Sequence, residues 1–165
     1  ETVNIGYRFE TVEVSGVTAN NTTQFLFNGN RTTSRVSPTY VYDSRDNFLN
    51  PSQGWRHVLG FDFAGLGGLK FTRSRYQITH YHPLVGKLVG AANARVNFAE
   101  GYGGDTLPAF ERYFMGGPNS LRGFTIQDIG PKDIQGQPVG GSKALILNLE
   151  LQYPFTKSLL SLIHI

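Results

Sequence analysis

The sequence predicts an all-β protein that forms part of a transmembrane antiparallel β-barrel, with about six strands and one long loop folded inwards. Apolar and polar residues alternate through segments that are longer than ordinary strands. Charged residues recur in the middle of the polar faces of these segments. One stretch of about 40 residues, 101–142, has no alternation but carries many apolar side chains, so we expect it to be a folded, functional loop.

The composition agrees with this fold class and narrows the classes of partner. The 20 glycines and the 13% of aromatic residues favour turns and strands over helices. Because the chain has 0 cysteines, it can form neither a disulfide nor a thiolate metal site. Its net charge of +3 is scattered, with no run of Lys or Arg, and we therefore predict no nucleic-acid partner.

The first two predicted strands are separated by a polar loop. Residues 2–10 place apolar side chains on one face and polar side chains on the other. A loop rich in Asn, Thr and Gly follows at 15–32, and the second predicted strand covers 33–43. Pro38 removes one hydrogen-bond donor from that strand but leaves its alternation intact.

Four more predicted strands follow. The turn-rich segment 43–54 precedes a third strand over 55–64, and glycines at 65–68 lead to a fourth over about 70–82. A tight turn at 83–86 then leads to the fifth, and the sixth follows the long loop. The apolar faces of these last two strands consist of Leu88, Ala92, Ala94, Val96 and Phe98 in the fifth and of Leu145, Leu147, Leu149, Leu151 and Tyr153 in the sixth.

Strand length and charge placement favour a membrane barrel over a soluble sheet. Strands of about 10–12 residues match a tilted crossing of a bilayer. Charges at mid-strand suit a lumen that is filled by water or by a loop, with the apolar faces on lipid. The charged residues in question are Arg8, Asp62, Arg73, Arg75, Arg95 and Glu150. On pattern alone, a soluble antiparallel β-sandwich that acts as a binding module stays open.

The order of the connections fits a strand pattern that runs up and down. The long loops 15–32 and 101–142 fall on one side of the membrane, and the turns 43–54 and 83–86 fall on the other. About six strands are too few to close a barrel, since the smallest have about eight. The isolated chain is therefore expected to expose two strand edges and to self-associate.

The long loop 101–142 carries a candidate anchor. Gly116 and Gly117 provide the sharp backbone turns that a folded-back loop requires. Arg122 has a permanent charge, which needs a carboxylate when it is buried. Glu150 lies on the polar face of the strand that follows, so we predict that Arg122 pairs with Glu150 inside the barrel.

No other group of residues indicates catalysis or cofactor binding. His80 and His82 lie two positions apart on one strand face and could hold a metal, but no acidic cluster lies near them in the sequence. The glycine-rich segment 65–70 lacks the spacing of a phosphate loop and is interpreted as a hairpin. We therefore predict no catalytic, cofactor-binding or metal-binding residues and no enzymatic activity.

Residues 114–124, with the sequence FMGGPNSLRGF, resemble the characteristic loop of the BamA family of outer-membrane β-barrels. The segment 129–132 also matches the family at its expected spacing, and similarity extends to the strand over 145–154 and to the turn at 43–54. The resemblance covers residues 1–155. It assigns the functional motif to Gly116, Gly117, Ser120, Leu121, Arg122, Gly123 and Phe124.

The resemblance implies a factor that folds and inserts other β-barrels into the outer membrane of Gram-negative bacteria. The implied partners are outer-membrane lipid, unfolded β-barrel client proteins and, in the full-length protein, periplasmic POTRA domains and accessory lipoproteins. Residues 1–155 would supply about the seventh to the twelfth strand of a barrel of roughly sixteen, with the loop 101–142 in its lumen. Glu150 matches the acidic residue that the loop arginine meets in the family.

Two points stay open beside this resemblance. Residues 156–165 do not match the family's continuation, and we interpret them as a divergent end or a foreign tail. A two-partner secretion transporter or a related protein-translocation pore of the same superfamily is the alternative function. The loop of those pores resembles this one but usually ends in Arg-Gly-Tyr, where this chain has Arg122, Gly123 and Phe124.

Overall fold

Seven strands form one antiparallel sheet in the computed structural model of the chain, which describes residues 1–14, 29–118, 120–154 and 160–164. Each strand pairs with its neighbours in sequence, so the order along the sheet is the order along the chain. The strands are β1 (Thr2–Val14), β2 (Gly29–Asp43), β3 (Gly54–Gly68), β4 (Phe71–Pro83), β5 (Val89–Gly101), β6 (Lys143–Pro154) and β7 (Leu160–His164).

All six predicted strands are present, and most are longer than the sequence indicated. β2 begins at Gly29, so the last residues of the predicted loop 15–32 belong to a strand, and 15–28 lie outside the described residues. Pro38 lies opposite Ile5 in an unbroken register between β1 and β2. β7 was not predicted. It pairs with β6 and falls within the predicted tail 156–165, part of which lies outside the described residues.

The two faces of the sheet separate apolar from polar side chains, as the alternation predicted. The outward face exposes large apolar residues, including Val3, Ile5, Tyr7, Phe9, Leu59, Phe61, Phe63, Leu145, Leu147 and Leu149. The opposite face, called the polar face below, buries Thr33, Arg35, Asp62, Thr79 and the small or branched apolar residues Ala64 and Ile146. An exposed apolar band of this size in a folded protein marks contact with lipid or another apolar partner.

The sheet is open, and its small apolar core lies where the loop leaves it. β1 and β7 are the edges of the described sheet. Phe71 and Ala99 pack with Leu107 of the loop in the buried core at that end of the strands. Among the described residues, no helix is long and apolar enough to cross a membrane.

Candidate functional site

The loop between β5 and β6 is attached at its base to β3 and to the turn that joins β3 and β4. The Tyr102 hydroxyl donates to the carbonyl oxygen of Ala64 at 2.7 Å. The Asp105 carboxylate accepts a hydrogen bond from the backbone N–H of Lys70 at 2.9 Å. These contacts direct the chain across the sheet at the point where β5 ends.

The outgoing and returning arms of the loop pair with each other. Tyr113 and Gly141 exchange two backbone hydrogen bonds of 2.8 and 2.9 Å, and the N–H of Ile129 donates to the carbonyl of Met115 at 3.0 Å. Backbone groups that pair within a loop need no partner elsewhere. The loop is therefore a folded, two-armed structure rather than an irregular excursion.

Arg112 joins the two arms from inside the loop. Its guanidinium donates to the carbonyl oxygens of Leu107 and Val139, each at 3.3 Å. Burial disfavours the charged form and lowers the pKa of Arg112 from its usual value. The side chain thus acts as a multiple hydrogen-bond donor that keeps the arms at a fixed spacing.

The glycine pair of the motif makes the turn at the tip of the loop. Gly116 has φ +112°, and a Cβ at this position would lie 2.1 Å from the carbonyl oxygen of Thr125. Gly117 has φ +92° and donates its N–H to the carbonyl of Phe124 at 3.1 Å. The Ser120 hydroxyl accepts from the Gly116 N–H at 2.8 Å. The motif positions Gly116, Gly117 and Ser120 are therefore explained by the backbone of the turn.

The predicted contact between Arg122 and Glu150 is present in the structure. Arg122 Nη1 lies 3.4 Å from Glu150 Oε1, with 46% of the arginine side chain and 23% of the glutamate side chain exposed. Water therefore reaches this pair, in contrast to a fully buried anchor. Of the other motif residues, Leu121 is half-buried, while Gly123 and Phe124 are exposed.

The loop tip lies close to the far end of the sheet. Glu150 pairs in register with Ala91, ten residues from Gly101, where the loop begins, which is about 33 Å along the strand. A cavity of 520 Å³ lies between the tip and the polar face. Its lining includes Ser120 and Arg122 of the loop, Asn93 and Asn148 of the sheet, and Arg45 and Phe48 of the turn between β2 and β3.

A second anchor, which was not predicted, lies nearer the base of the loop. Glu111 ends a short 3₁₀ turn at Ala109–Glu111 and has 3% of its surface exposed. Arg35 Nη1 of β2 donates to both carboxylate oxygens, at 2.9 and 3.2 Å. Arg73 Nη1 of β4 donates to Oε2 of the same carboxylate. One loop carboxylate is therefore shared by arginines of two strands that are not neighbours.

Further acidic residues complete the charge balance around these arginines. Arg35 Nη2 donates to Glu10 Oε1 of β1 at 3.0 Å. Asp62 of β3 is as buried as Glu111 and accepts from Arg75 Nη2 at 3.0 Å. This charge cluster joins four consecutive strands to the loop and consists of Glu10, Arg35, Asp62, Arg73, Arg75 and Glu111. Its members at 62, 73 and 75 are mid-strand charges that the alternation predicted on the inner face of the barrel. A buried charge is tolerated when it is paired in this way.

The sequence held one signal for the missed anchor. Glu111 is the acidic residue of an otherwise largely apolar and aromatic stretch, 107–115, that needs a packing partner. An acid within such a stretch is desolvated when the stretch packs, and it then needs a cation. Sequence alone did not identify which of the lumen arginines would supply that cation.

The two histidines considered as metal ligands lie on the outward face within an aromatic group. The His80 ring stacks on Trp55 with centroids 3.8 Å apart, and the His80 and His82 rings are 6.0 Å apart. Within the described ranges, no three His, Cys, Asp or Glu side chains are placed to hold a metal ion.

Comparison with known proteins places this arrangement among membrane barrels. The model of the Omp85 superfamily domain matches residues 1–163. A solved structure of BamA from Haemophilus ducreyi that lacks POTRA domains 1–3 superposes with a TM-score of 0.70 and 24% identity, over 83% of this chain and 28% of that one. At this identity the likeness concerns the fold.

Similar curated sequences are named as assembly factors. The outer membrane protein assembly factor BamA of Nitratidesulfovibrio vulgaris is 28% identical over 79% of this chain and 17% of its own length. The protein of the same name from Neorickettsia risticii is 30% identical over 76% of this chain and 17% of its own. A sorting and assembly machinery component 50 homolog from Mus musculus is 27% identical over 76% of this chain and 27% of its own. The chain thus spans about a sixth to a quarter of the length of these relatives.

Proposed function

The chain belongs to the Omp85 superfamily, and we propose that it forms a middle portion of the barrel of a bacterial outer-membrane protein assembly factor. The observation that carries the proposal is the loop held across the polar face of a sheet whose other face is apolar. Such a loop fills part of a lumen and braces the wall of the barrel. The names of the relatives agree with this function.

The proposed partners follow from the two faces and the two edges. The apolar outward face meets outer-membrane lipid, and the edge strands β1 and β7 meet further strands of a longer barrel. Unfolded β-barrel proteins are the clients, and POTRA domains and accessory lipoproteins complete the full-length protein. The function is structural rather than enzymatic, since a loop and a wall position a client without breaking a covalent bond.

A chimera tests the proposal. The segment of the Nitratidesulfovibrio vulgaris BamA that matches this chain is replaced by the corresponding residues of this chain, and the product is reconstituted in liposomes. Insertion of a urea-denatured outer-membrane β-barrel protein is then followed by protease protection. We expect faster insertion than in empty liposomes, with the unaltered relative as the positive control.

The same chimera distinguishes the assembly function from the alternative, a protein-translocation pore. A folded chimera that inserts no client but passes an unfolded soluble polypeptide into the liposome would indicate a secretion pore. A folded chimera with neither activity would contradict both functions.

A further inference from the structure

Glu111 helps to hold the loop on which the proposed function rests, and its carboxylate makes a buried contact between the loop and the sheet. Its partners Arg35 and Arg73 come from β2 and β4, on either side of β3. A carboxylate bonded to two guanidinium groups is fixed in direction as well as in distance. The position of the loop along and across the strands is therefore determined at this residue.

The contact at the loop tip has a different character. Arg122 and Glu150 meet at 3.4 Å with 46% and 23% of their side chains exposed, whereas Glu111 and Arg35 have 4% and 10% of their side chains exposed. Exposed ion pairs are weak and are screened by salt, while a buried pair cannot lose one partner without leaving an uncompensated charge. The tip contact can open while the loop stays in place, but the Glu111 contact cannot.

Bonds inside the loop transmit the position of Glu111 to the tip. The next residue, Arg112, bonds to the carbonyls of Leu107 and Val139, and Tyr113 pairs with Gly141 on the returning arm. The Tyr113 ring also lies beside Arg73, whose Cζ is 5.2 Å from the ring centroid. Both arms are therefore tied to the residue that Arg35 and Arg73 hold.

We propose that Glu111 is the positioning residue of the loop, which holds Arg122 within reach of Glu150 while the tip contact itself opens and closes. The proposal rests on the proposed function in one respect, because it assigns the fixed loop to the assembly activity. The Glu111 contact and the contact between Arg122 and Glu150 stabilise the same position of the loop, so the presence of each favours the other. The Glu111 contact is the stronger one, and its loss therefore disturbs the loop more.

Distances between two spin labels test whether Glu111, rather than Arg122, determines the position of the loop. Because the chain has 0 cysteines, Thr125→Cys on the loop and Leu147→Cys on the outward face of β6 can be labelled without other changes. The labelled chain is folded in detergent micelles with an excess of unlabelled chain, and the distance distribution is measured by pulsed electron paramagnetic resonance. We expect one narrow distance in the parent, a retained peak in Arg122→Ala, and loss of that peak in Glu111→Gln.

Glu100→Gln provides the matched control, because it removes an exposed carboxylate from β5 outside the cluster and should keep the narrow peak. If Glu111→Gln lowers the strand content seen by circular dichroism, Arg35→Gln is measured in its place, and the peak should broaden because only Arg73 is left to fix the direction of the carboxylate. A peak as narrow as the parent's in either folded variant would overturn the proposal, as would loss of the peak in Arg122→Ala alone. These distances do not depend on client insertion, so failure of the assembly function would leave this test intact.

Discussion

Glu111 and Arg122 both pair with opposite charges, but water reaches the two contacts to very different extents. Glu111 is 3% exposed and faces two arginines, while nearly half of the Arg122 side chain is in solvent. Coulomb attraction between charges is strong where water is excluded and weak where it is not. Of the two contacts that hold the loop, the one made by Arg122 of the sequence motif is therefore the less stabilising.

The two contacts should differ measurably in stability. Glu111→Gln leaves Arg35 and Arg73 without their shared carboxylate and should lower the free energy of unfolding by about 3–5 kcal/mol. Arg122→Ala should lower it by about 0–1 kcal/mol. Urea unfolding of the chain in micelles measures both values. A double-mutant cycle of Arg122→Ala with Glu150→Ala should give a small but non-zero coupling. Equal losses for Glu111→Gln and Arg122→Ala would contradict the assignment.

Asp46 gives the turn between β2 and β3 a dependence on pH. Its carboxylate accepts from the backbone N–H groups of Ser52 and Gln53, at 2.8 and 3.2 Å, and from the Ser52 hydroxyl. These hydrogen bonds, the Ser52 hydroxyl first, lower the pKa of Asp46 from 3.8 to about 2. The pKa of Asp46 is lower in the folded chain than in the unfolded chain. The ionised carboxylate therefore contributes its full stabilisation of the fold at pH values above 3.8, and this contribution is lost as the pH falls through about 2.

A carbon-13 titration of the labelled Asp46 carboxyl should therefore show a midpoint near 2, and Ser52→Ala should raise it towards 3.8. An unshifted midpoint for Asp46 would show that the turn is not closed by this carboxylate.

At the scale of the element, β6 shows how alternation determines two surfaces at once. Leu147 and Leu149 are exposed on the outward face, while Asn148 and Glu150 line the cavity under the loop. A register shift of one residue would exchange these sets completely, so the strand has one acceptable pairing.

Cysteine labelling of a membrane-embedded form tests this arrangement. We expect Asn148→Cys and Gln152→Cys to react with a water-soluble maleimide, since the polar face is hydrated. Leu147→Cys and Leu149→Cys should stay unlabelled until detergent replaces the lipid. The opposite pattern would place β6 the other way round in the membrane.

Alternation also explains how much of the fold and of the site the sequence could predict. The six longer strands were predictable because Val3 to Phe9 and Leu145 to Tyr153 repeat with a period of two over many residues. β7 was missed because Leu160–His164 is short and its apolar residues scarcely alternate. The contact between Arg122 and Glu150 was found through a motif. Glu111 contacts Arg73 and Arg35, which lie 38 and 76 positions away in the sequence, and a local sequence pattern cannot predict contacts over such separations.

At the scale of the whole molecule, the described sheet has two unpaired edges. Seven strands are fewer than the eight of the smallest closed barrels, so β1 and β7 present free backbone donors and acceptors. Each edge can pair with a strand of the same kind. The exposed apolar face favours association in water for a second, independent reason.

Sedimentation in detergent-free buffer should therefore find the chain associated rather than monomeric. Two lysines on the edge, Val3→Lys with Tyr7→Lys, should reduce association because charges on an edge strand oppose pairing. The matched control, Leu59→Lys with Phe63→Lys, places the same charges on the outward face of β3, which is paired on both sides, and should reduce association less. A monodisperse monomer of the unaltered chain would contradict the open-edged sheet.

The height of the outward apolar face also bears on which membrane suits the protein. On β3 this face runs from Trp55 to Phe63, and on β6 from Leu145 to Tyr153. In each case nine residues span eight steps, which at about 3.3 Å per residue and a tilt of about 40° give a hydrophobic height of about 20 Å, below the 25 Å or so of typical outer-membrane barrels. Each ångström of mismatch has an energetic cost, so short-chain lipids, which form thin bilayers, should accommodate this wall with the least deformation.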